Sequence, residues 1–213
     1  MVRIVAGCAQ AASAGDAKRC GPARGGVGLA ELALDARSAE NASILLGTKS
    51  SLQESNTYYA QGGVAAALAP GDSPEDHLRD TLSAGAGLCD EAAVRKLVTE
   101  CPARIRELIA WGTPFDKLGG EIDFTLEGGH GKRRILHANG DATGQVLEKS
   151  LAQKLVEHPN ISILENHFAV DLLHKNAVCY GLLVLDVKSG KFLTVEARAT
   201  VLATGGLGQV YRE

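Results

Sequence analysis

Short apolar segments that end at glycine-bearing turns place the strongest limit on how this chain folds. Residues 199–204, ATVLAT, form such a segment and lead into Gly205-Gly206, and residues 43–46, SILL, form another. Amphipathic helical patterns lie between them. Strands that alternate with helices are typical of an α/β fold with a parallel sheet. Because such sheets bind ligands beyond the carboxyl ends of their strands, we expect a ligand-binding edge at these turns.

A second glycine-bearing segment, residues 55–68 with the sequence SNTYYAQGGVAAAL, has features of a ligand-contacting loop. Asn56, Thr57 and Gln61 supply hydrogen-bond donors and acceptors, and Gly62-Gly63 can adopt backbone conformations closed to other residues. The alternative interpretation is a polar turn before a helix that begins near Val64, since glycine pairs mark turns more often than ligands. The residues alone leave both interpretations open.

Composition excludes several classes of partner. The 213 residues are 45% hydrophobic and 22% charged, as in an ordinary globular protein. A net charge of -3 gives no reason to expect nucleic acid or an anionic membrane as a partner. No apolar run approaches the roughly 20 residues that span a bilayer. Neither the six histidines nor the five cysteines have metal-binding spacing, so we expect no metal site and free thiols: Cys8, Cys20, Cys89, Cys101 and Cys179.

Residues 1–22 differ in composition from the rest, with Ala, Ser, Gly and Cys dominant and Asp16 the only acid. We expect little order for much of this segment and assign residues 23–213 to the folded domain. The low acid content is typical of an organellar transit peptide, but a misplaced gene start explains it equally well. The predicted location is accordingly the cytoplasm, with a plastid as the alternative.

Residues 23–28 read A-x-G-x-x-G and match a dinucleotide-binding phosphate loop in part. Gly25 and Gly28 occupy the second and third glycine positions, but Ala23 stands in the first. An apolar helical pattern follows over residues 29–36. The strand that should precede the loop is missing or displaced: residues 2–7, VRIVAG, are strand-like but lie too far upstream unless an insertion separates them from the loop.

The remaining pattern predicts helices and strands that position any site. Ser73 and Pro74 are suited to the N-cap and first position of a helix, a second helix is expected from about Asp90, and Pro102 is expected to open a third that Gly112 ends. A fourth helix is predicted between Thr143-Gly144 and Pro159. Strands are predicted over residues 161–164, 169–173, 179–187, 191–197 and 199–204, the third and fourth forming a hairpin about Ser189-Gly190.

Two charged positions have competing interpretations. Lys49 follows the strand at residues 43–46, where it is suited to neutralising phosphate or binding adenosine, but a solvated loop charge is the simpler interpretation. Glu127 lies in E-G-G-H and is followed by three cations, Lys132 to Arg134. This arrangement is suited to a dicarboxylic or amino-acid substrate, and a surface loop whose charges pair with one another is the alternative.

The glycine-bearing segments occur together in an order that resembles the fumarate reductase and succinate dehydrogenase flavoprotein superfamily, and within it most closely the L-aspartate oxidase family. The resemblance covers about residues 23–213. It implies a Rossmann-like α/β FAD-binding domain with a parallel sheet, flanking helices and an inserted β-hairpin. The capping domain, with the arginine that transfers the proton, is expected to be absent from this chain, which resembles an N-terminal portion of the enzyme.

The resemblance also implies the residues that contact FAD. These are Arg24, Gly25, Gly26, Val27 and Gly28 in the phosphate loop, Lys49, the segment Asn56, Thr57, Tyr58, Tyr59, Ala60, Gln61, Gly62 and Gly63, and the edge Ala203, Thr204, Gly205 and Gly206. Residues 169–170 would lie near the adenine. Relatives that bind FAD covalently have a histidine where this chain has Asn56, so the resemblance implies non-covalent FAD.

The activity implied is oxidation of L-aspartate to iminoaspartate with oxygen or fumarate as acceptor, within NAD biosynthesis. Glu127 is the implied substrate-orienting residue, since a carboxylate that faces an ammonium group distinguishes aspartate from succinate. Quinolinate synthase is the implied recipient of the product. A fumarate reductase or succinate dehydrogenase-type flavoprotein, or a non-catalytic FAD-binding fragment, is the alternative. We expect the chain alone to be inactive and to retain FAD weakly.

Overall fold

The chain divides into two compact units. A computed structural model describes residues 43–204 and the backbone of residues 2–6. The first unit combines the two ends of the chain, residues 1–58 and 151–213, and the second is continuous, residues 59–150. The predicted helix at residues 29–36 lies outside the described residues.

The first unit contains the predicted parallel sheet. Its strands are β1 (Val2–Ala6), β2 (Ser43–Gly47), β8 (Ile161–Leu164) and β12 (Ala199–Leu202), in the order β12-β1-β2-β8. All three pairings are parallel, so β1 has a parallel neighbour on each side. Alternate side chains of β2, Ile44 and Leu46, are almost fully buried. The predicted strands at residues 43–46, 161–164 and 199–204 are thus confirmed in position.

The first strand of this sheet, β1, is formed by residues near the start of the given sequence. It lies within residues 1–22, much of which the sequence predicts to have little order, and it corresponds to the strand-like segment at residues 2–7. The backbone of β1 pairs with both β12 and β2, which satisfies its hydrogen-bonding groups and accounts for a strand in this five-residue segment. In the register, Ala6 lies opposite Leu202 on one side and Gly47 on the other. The carboxyl ends of β12, β1 and β2 therefore lie at the same edge of the sheet.

An antiparallel sheet in the same unit contains the predicted hairpin. Its strands are β9 (His167–Lys175), β10 (Val178–Asp186) and β11 (Phe192–Glu196), in the order β11-β10-β9. Gly190 has φ of 70°, which suits the turn between β10 and β11. Ala169, Leu182 and Val184 form a buried cluster on one face of this sheet.

The second unit contains two helices that confirm part of the predicted pattern. Helix α1 (Pro74–Ala84) begins as expected, because Ser73 accepts a 3.1 Å hydrogen bond from the Asp76 N–H. Helix α2 (Glu91–Ala110) is capped by Asp90 and ends before Gly112, whose φ is 96°.

The prediction that Pro102 opens a separate third helix is wrong. Pro102 lies inside α2, where it cannot donate a backbone hydrogen bond. Its ring is buried on the same face as Val98, Ile105 and Leu108, at spacings of four and three residues. This continuous apolar face offsets the lost hydrogen bond, since burial of such a stripe stabilises a helix more than propensity does.

Small antiparallel strands complete the second unit. β3 (Val64–Ala65), β7 (Ile135–Leu136) and β6 (Phe124–Thr125) form a sheet in the order β3-β7-β6, and β4 (Lys117–Leu118) pairs with β5 (Glu121–Ile122). The alternative of a helix that begins near Val64 is therefore wrong. The backbone of residues 64–65 instead pairs with β7, whose side chains are almost fully buried.

Helix α3 (Thr143–Glu157) extends from the second unit into the first. A single 3-10 turn, Gly140–Ala142, precedes it. Leu151 and Leu155 are buried on this helix, whereas Val156 is exposed. No helix in the described part of the chain is long and apolar enough to cross a membrane.

A buried ion-pair cluster forms the polar centre of the second unit. The side chain of Arg134 is 0% exposed, and it donates to both carboxylate oxygens of Asp72, at 2.9 and 2.8 Å. A third bond, of 2.6 Å, joins it to Asp80 on α1. The Asp72 side chain is 1% exposed, so this carboxylate depends on Arg134 for its counter-charge.

The first prediction concerns this cluster. Arg134→Met should lower the free energy of unfolding by about 3–5 kcal/mol, because the buried Asp72 carboxylate would lose its partner. Urea or thermal unfolding of the purified protein measures this loss. Arg133→Met is the matched control: Arg133 is exposed and makes one bond, to the Phe124 carbonyl, so about 1 kcal/mol or less is expected. Equal losses of unfolding free energy in the two variants would show that the buried ion pairs of Arg134 do not stabilise the unit.

Candidate functional site

A buried serine shapes the turn that contains Asn56. The Ser55 side chain is almost fully buried, and its Oγ accepts a 3.0 Å hydrogen bond from the Tyr58 N–H. This side-chain-to-backbone bond is typical of serine at the start of a turn. Asn56 lies in the turn and is exposed, whereas Thr57 and Tyr58 are partly buried. The first unit thus presents the Asn56 amide at its surface.

Residues 59–63 continue this segment in the second unit. Tyr59, Ala60 and Gln61 are exposed, and the Ala60 carbonyl accepts a 3.2 Å bond from Gly144 at the start of α3. Gly62 has φ of 80°, and a Cβ added there would meet nothing within 4 Å. The main chain at Gly62 is therefore open to a ligand in a conformation that favours glycine.

Gly63 lies directly against β7. A Cβ on Gly63 would be 2.8 Å from the Leu136 carbonyl oxygen and 2.9 Å from His137 Nε2, and would also collide with the Ile135 side chain. Only glycine allows this approach. The pairing of β3 with β7 thus places the Gln61–Gly63 segment beside His137.

Glu127 and His137 form a hydrogen-bonded pair. Their Oε1 and Nε2 atoms are 3.1 Å apart, and Thr125 Oγ1 is 3.1 Å from the same nitrogen. The His137 side chain is 18% exposed and that of Glu127 is 48% exposed. A carboxylate fixed on one side and open to solvent on the other is suited to binding a cationic group.

The Glu127 loop is anchored to α1. Residues 126–134 connect β6 to β7, and within them the His130 N–H donates to the Glu127 carbonyl in a turn. Asp80 accepts a 2.7 Å bond from the Gly131 N–H as well as the bond from Arg134. The Gly131 bond, with a smaller contribution from Arg134, lowers the pKa of Asp80 below its ordinary value. The loop therefore ends on a carboxylate that stays charged.

His77 lies beneath this loop on α1. Its ring is 5.7 Å from that of His130, and its Nδ1 is buried without a hydrogen-bond partner. Burial lowers the pKa of His77, and the neighbouring Arg134 and His130 lower it further. We therefore interpret His77 as a neutral packing residue.

A second carboxylate fixes the chain after His137. Asp116 accepts bonds of 2.8 and 3.1 Å from the Asn139 and Gly140 N–H groups. Its own N–H donates to the His137 carbonyl at 2.8 Å. Asn139 has φ of 52°, a left-handed conformation that asparagine tolerates. Asp116 thus holds both the His137 carbonyl and the backbone of residues 139–140.

The carboxyl edge of the parallel sheet carries the remaining described candidates. Ala203 and Thr204 follow β12, and Lys49 follows β2 after Thr48, whose N–H donates to the Leu164 carbonyl. The Lys49 ammonium lies 5.5 Å from the centre of the Phe168 ring. Ala169 is buried in the core of the antiparallel sheet, so only its backbone is available near an adenine.

Several predicted residues lie outside the described part of the chain: Arg24, Gly25, Gly26, Val27, Gly28, Gly205 and Gly206. Of the three cations after E-G-G-H, Arg134 is buried in its own ion pairs rather than open to a substrate. Sequence reasoning missed the bond from His137 to Glu127. One sequence feature could have indicated this bond. Glu127 lies at the start of the loop before β7, and His137, ten residues later, directly follows β7.

The sequence matches a known family over most of its length. The profile of the FAD binding domain family covers residues 25–213. The chain belongs to this family. Its fold agrees with solved flavoproteins: a variant of Escherichia coli quinol fumarate reductase has a TM-score of 0.84 and 31% identity, over 99% of this chain and 33% of that chain. The Mycobacterium smegmatis Sdh1 complex gives 0.82 and 27%, over 97% and 34%. The expected superfamily and fold class are confirmed.

Curated relatives of this FAD-binding domain are L-aspartate oxidases. The chloroplastic enzyme of Arabidopsis thaliana is 45% identical over 191 residues, which cover 87% of this chain and 29% of that protein. L-aspartate oxidase 1 of Ralstonia nicotianae is 46% identical over 195 residues, 87% of this chain and 36% of that protein. The chain thus spans about a third of the length of these relatives.

The described residues of this FAD-binding domain fit the cofactor. In the second unit, Gly62 leaves its main chain accessible and the exposed Gln61 amide can donate and accept hydrogen bonds. In the first unit, the exposed Asn56 amide can do the same. Such groups match the polar edge of a flavin ring. In the described part of the chain, no cluster of ligands for a metal ion occurs.

The second prediction concerns the contact between Gly63 and β7. Gly63→Ala should lower the free energy of unfolding by about 1–3 kcal/mol, because the added methyl would push β3 away from Leu136 and His137. Chemical denaturation of the purified protein measures the change. Gly128→Ala is the control, since a Cβ there meets nothing within 4 Å and Gly128 is not among the residues with positive φ. A loss no larger than that of the control would show that this approach is not tight.

Proposed function

We propose that this chain is the FAD-binding part of an L-aspartate oxidase, which oxidises L-aspartate to iminoaspartate. One observation carries the proposal: the Glu127 carboxylate is held by His137, and His137 lies against Gly63 at the end of the expected flavin-contacting segment. The similarity to L-aspartate oxidases over 87% of the chain supports the same activity. Bound FAD supplies the two-electron oxidation, with oxygen or fumarate as the final acceptor.

The residues of this chain have distinct roles in the proposal. Glu127 accepts hydrogen bonds from the substrate ammonium group and thereby orients the α-carbon. The backbone at Gly62 and Gly63 allows the cofactor to approach closely. Contacts to FAD are proposed for Lys49, Asn56, Thr57, Tyr58, Tyr59, Ala60, Gln61, Gly62, Gly63, Ala203 and Thr204, together with residues 24–28 and 205–206.

The chemistry of the product favours direct transfer to the next enzyme. Iminoaspartate carries an imine, which water hydrolyses, so we propose a hand-off to the next enzyme, quinolinate synthase. The cytoplasm is the proposed location. A plastid is the alternative, since plant relatives are named chloroplastic L-aspartate oxidases.

The activity is tested on the full-length gene product. L-Aspartate should be oxidised with formation of hydrogen peroxide under oxygen, or with consumption of fumarate when oxygen is excluded. Succinate is the comparison substrate because it has the same two carboxylates but no ammonium group. Turnover of succinate without turnover of L-aspartate would overturn the proposal in favour of a fumarate reductase or succinate dehydrogenase-type flavoprotein.

The third prediction concerns the mode of FAD attachment. Asn56 has an amide, which is not a nucleophile at neutral pH, where covalently flavinylated relatives have a histidine. Acid precipitation of the holoprotein should therefore release all the yellow flavin into the supernatant, and the precipitated polypeptide should have the unmodified mass. Flavin that stays with the polypeptide would contradict non-covalent binding.

The fourth prediction concerns substrate selection by Glu127. Glu127→Gln should raise the KM for L-aspartate by about 10- to 100-fold, the effect of losing a hydrogen bond to a charged group. Fumarate reduction by the pre-reduced protein should change far less, because fumarate has no ammonium group. Steady-state kinetics with L-aspartate and with fumarate measures the difference between the two effects. A parallel loss for both substrates would show that Glu127 does not read the ammonium group.

A further inference from the structure

We infer that His137 is a positioning residue that sets the specificity of the site by orienting the Glu127 carboxylate. This inference rests on the proposed function, since it assigns a second residue to the recognition of an amino-acid substrate. His137 was not among the residues that the sequence singled out. Its place in the structure follows from three independent contacts.

The first contact is the bond to Glu127. An ionised carboxylate can only accept hydrogen bonds, so His137 Nε2 has to carry the proton across the 3.1 Å separation. The geometry of this N–H fixes the direction in which the carboxylate points, and it leaves the second carboxylate oxygen of Glu127 for an ammonium group.

The second and third contacts fix the imidazole itself. Thr125 Oγ1 lies 3.1 Å from Nε2 on the neighbouring strand β6. On the β3 side, the backbone of Gly63 is close enough that an added Cβ would be 2.9 Å from the same nitrogen. Because the side chain is only 18% exposed and its backbone carbonyl is bonded to Asp116, the ring has little freedom.

These contacts link two parts of the proposed site inside one unit. Gly63 immediately precedes β3, β7 leads into His137, and the loop between β6 and β7 carries Glu127. The position of the carboxylate relative to the glycine pair is therefore set by pairing in a single sheet. The half-exposed Glu127 side chain, at 48%, remains accessible to a substrate. The ligand class is a dicarboxylate that bears an α-ammonium group.

The test compares two amides at position 137 in the full-length holoprotein. Glutamine places its side-chain nitrogen near the position of Nε2. The asparagine side chain is one methylene shorter, so its nitrogen does not reach Glu127. Both variants are polar and differ by one methylene, so a general loss of folding would affect them alike. The ligands are 2-methyl-L-aspartate, which lacks the α-hydrogen and is not oxidised, and succinate. Isothermal titration calorimetry measures both dissociation constants without turnover.

His137→Asn should weaken binding of 2-methyl-L-aspartate about tenfold, the size expected for one misplaced charged hydrogen bond. His137→Gln should stay within about threefold of the parent, and succinate binding should change less than about twofold in both. In a Glu127→Gln background, His137→Asn should add less than about twofold, because the residue acts through Glu127. His174→Asn, at an exposed position of β9, is the control for the substitution itself.

The outcomes separate the inference from the proposed function. A parent protein that binds succinate but not 2-methyl-L-aspartate overturns the proposed function. A parent that binds both, with asparagine and glutamine variants that behave alike, overturns only the role of His137. An equal loss for both ligands, or a full tenfold loss in the Glu127→Gln background, also overturns it.

Discussion

The second unit depends on a single buried cation. Its central sheet has strands of two residues each, so the backbone ladder alone contributes few hydrogen bonds. Arg134, immediately before β7, binds Asp72 ahead of α1 and Asp80 within α1. Removal of one member of such a cluster leaves an uncompensated buried charge. Gly63, Glu127 and His137 lie next to the strands of this sheet. Their geometry therefore depends on an ion-pair cluster that contacts none of them.

The same cluster explains how a loop between two short strands can hold a carboxylate in a defined position. Asp80 binds both the Arg134 side chain and the Gly131 backbone, so the return half of the loop is fixed to a helix. Glu127 then needs only one further bond, from His137, to define its direction. A binding residue is held more precisely when the residues that support it lie on rigid elements of the fold. Here the supporting residues lie on a strand, a helix and a loop of the same unit.

Local patterns predicted much of the fold because the responsible interactions are local. The Ser73 cap and the β10–β11 hairpin depend on residues within a few positions of each other. Pro102 was misinterpreted because burial of a continuous apolar face is a tertiary effect. The alternative of a helix that begins near Val64 is wrong for the same reason, since the backbone there pairs with a strand about seventy residues later. Of the candidate site, the glycine pair and Glu127 were predictable, whereas His137 required the sheet.

The position of β1 has a consequence for synthesis of the protein. Arg3 pairs with Ala199, so the parallel sheet cannot close until nearly the whole described chain has left the ribosome. The second unit is continuous in sequence and can fold earlier, during the seconds that translation at roughly 5–20 residues per second provides. Meanwhile β1 and β2 have open hydrogen-bonding edges, which are prone to aggregation. The edge of β1 that pairs with β12 therefore stays unpaired in the nascent chain until β12 emerges.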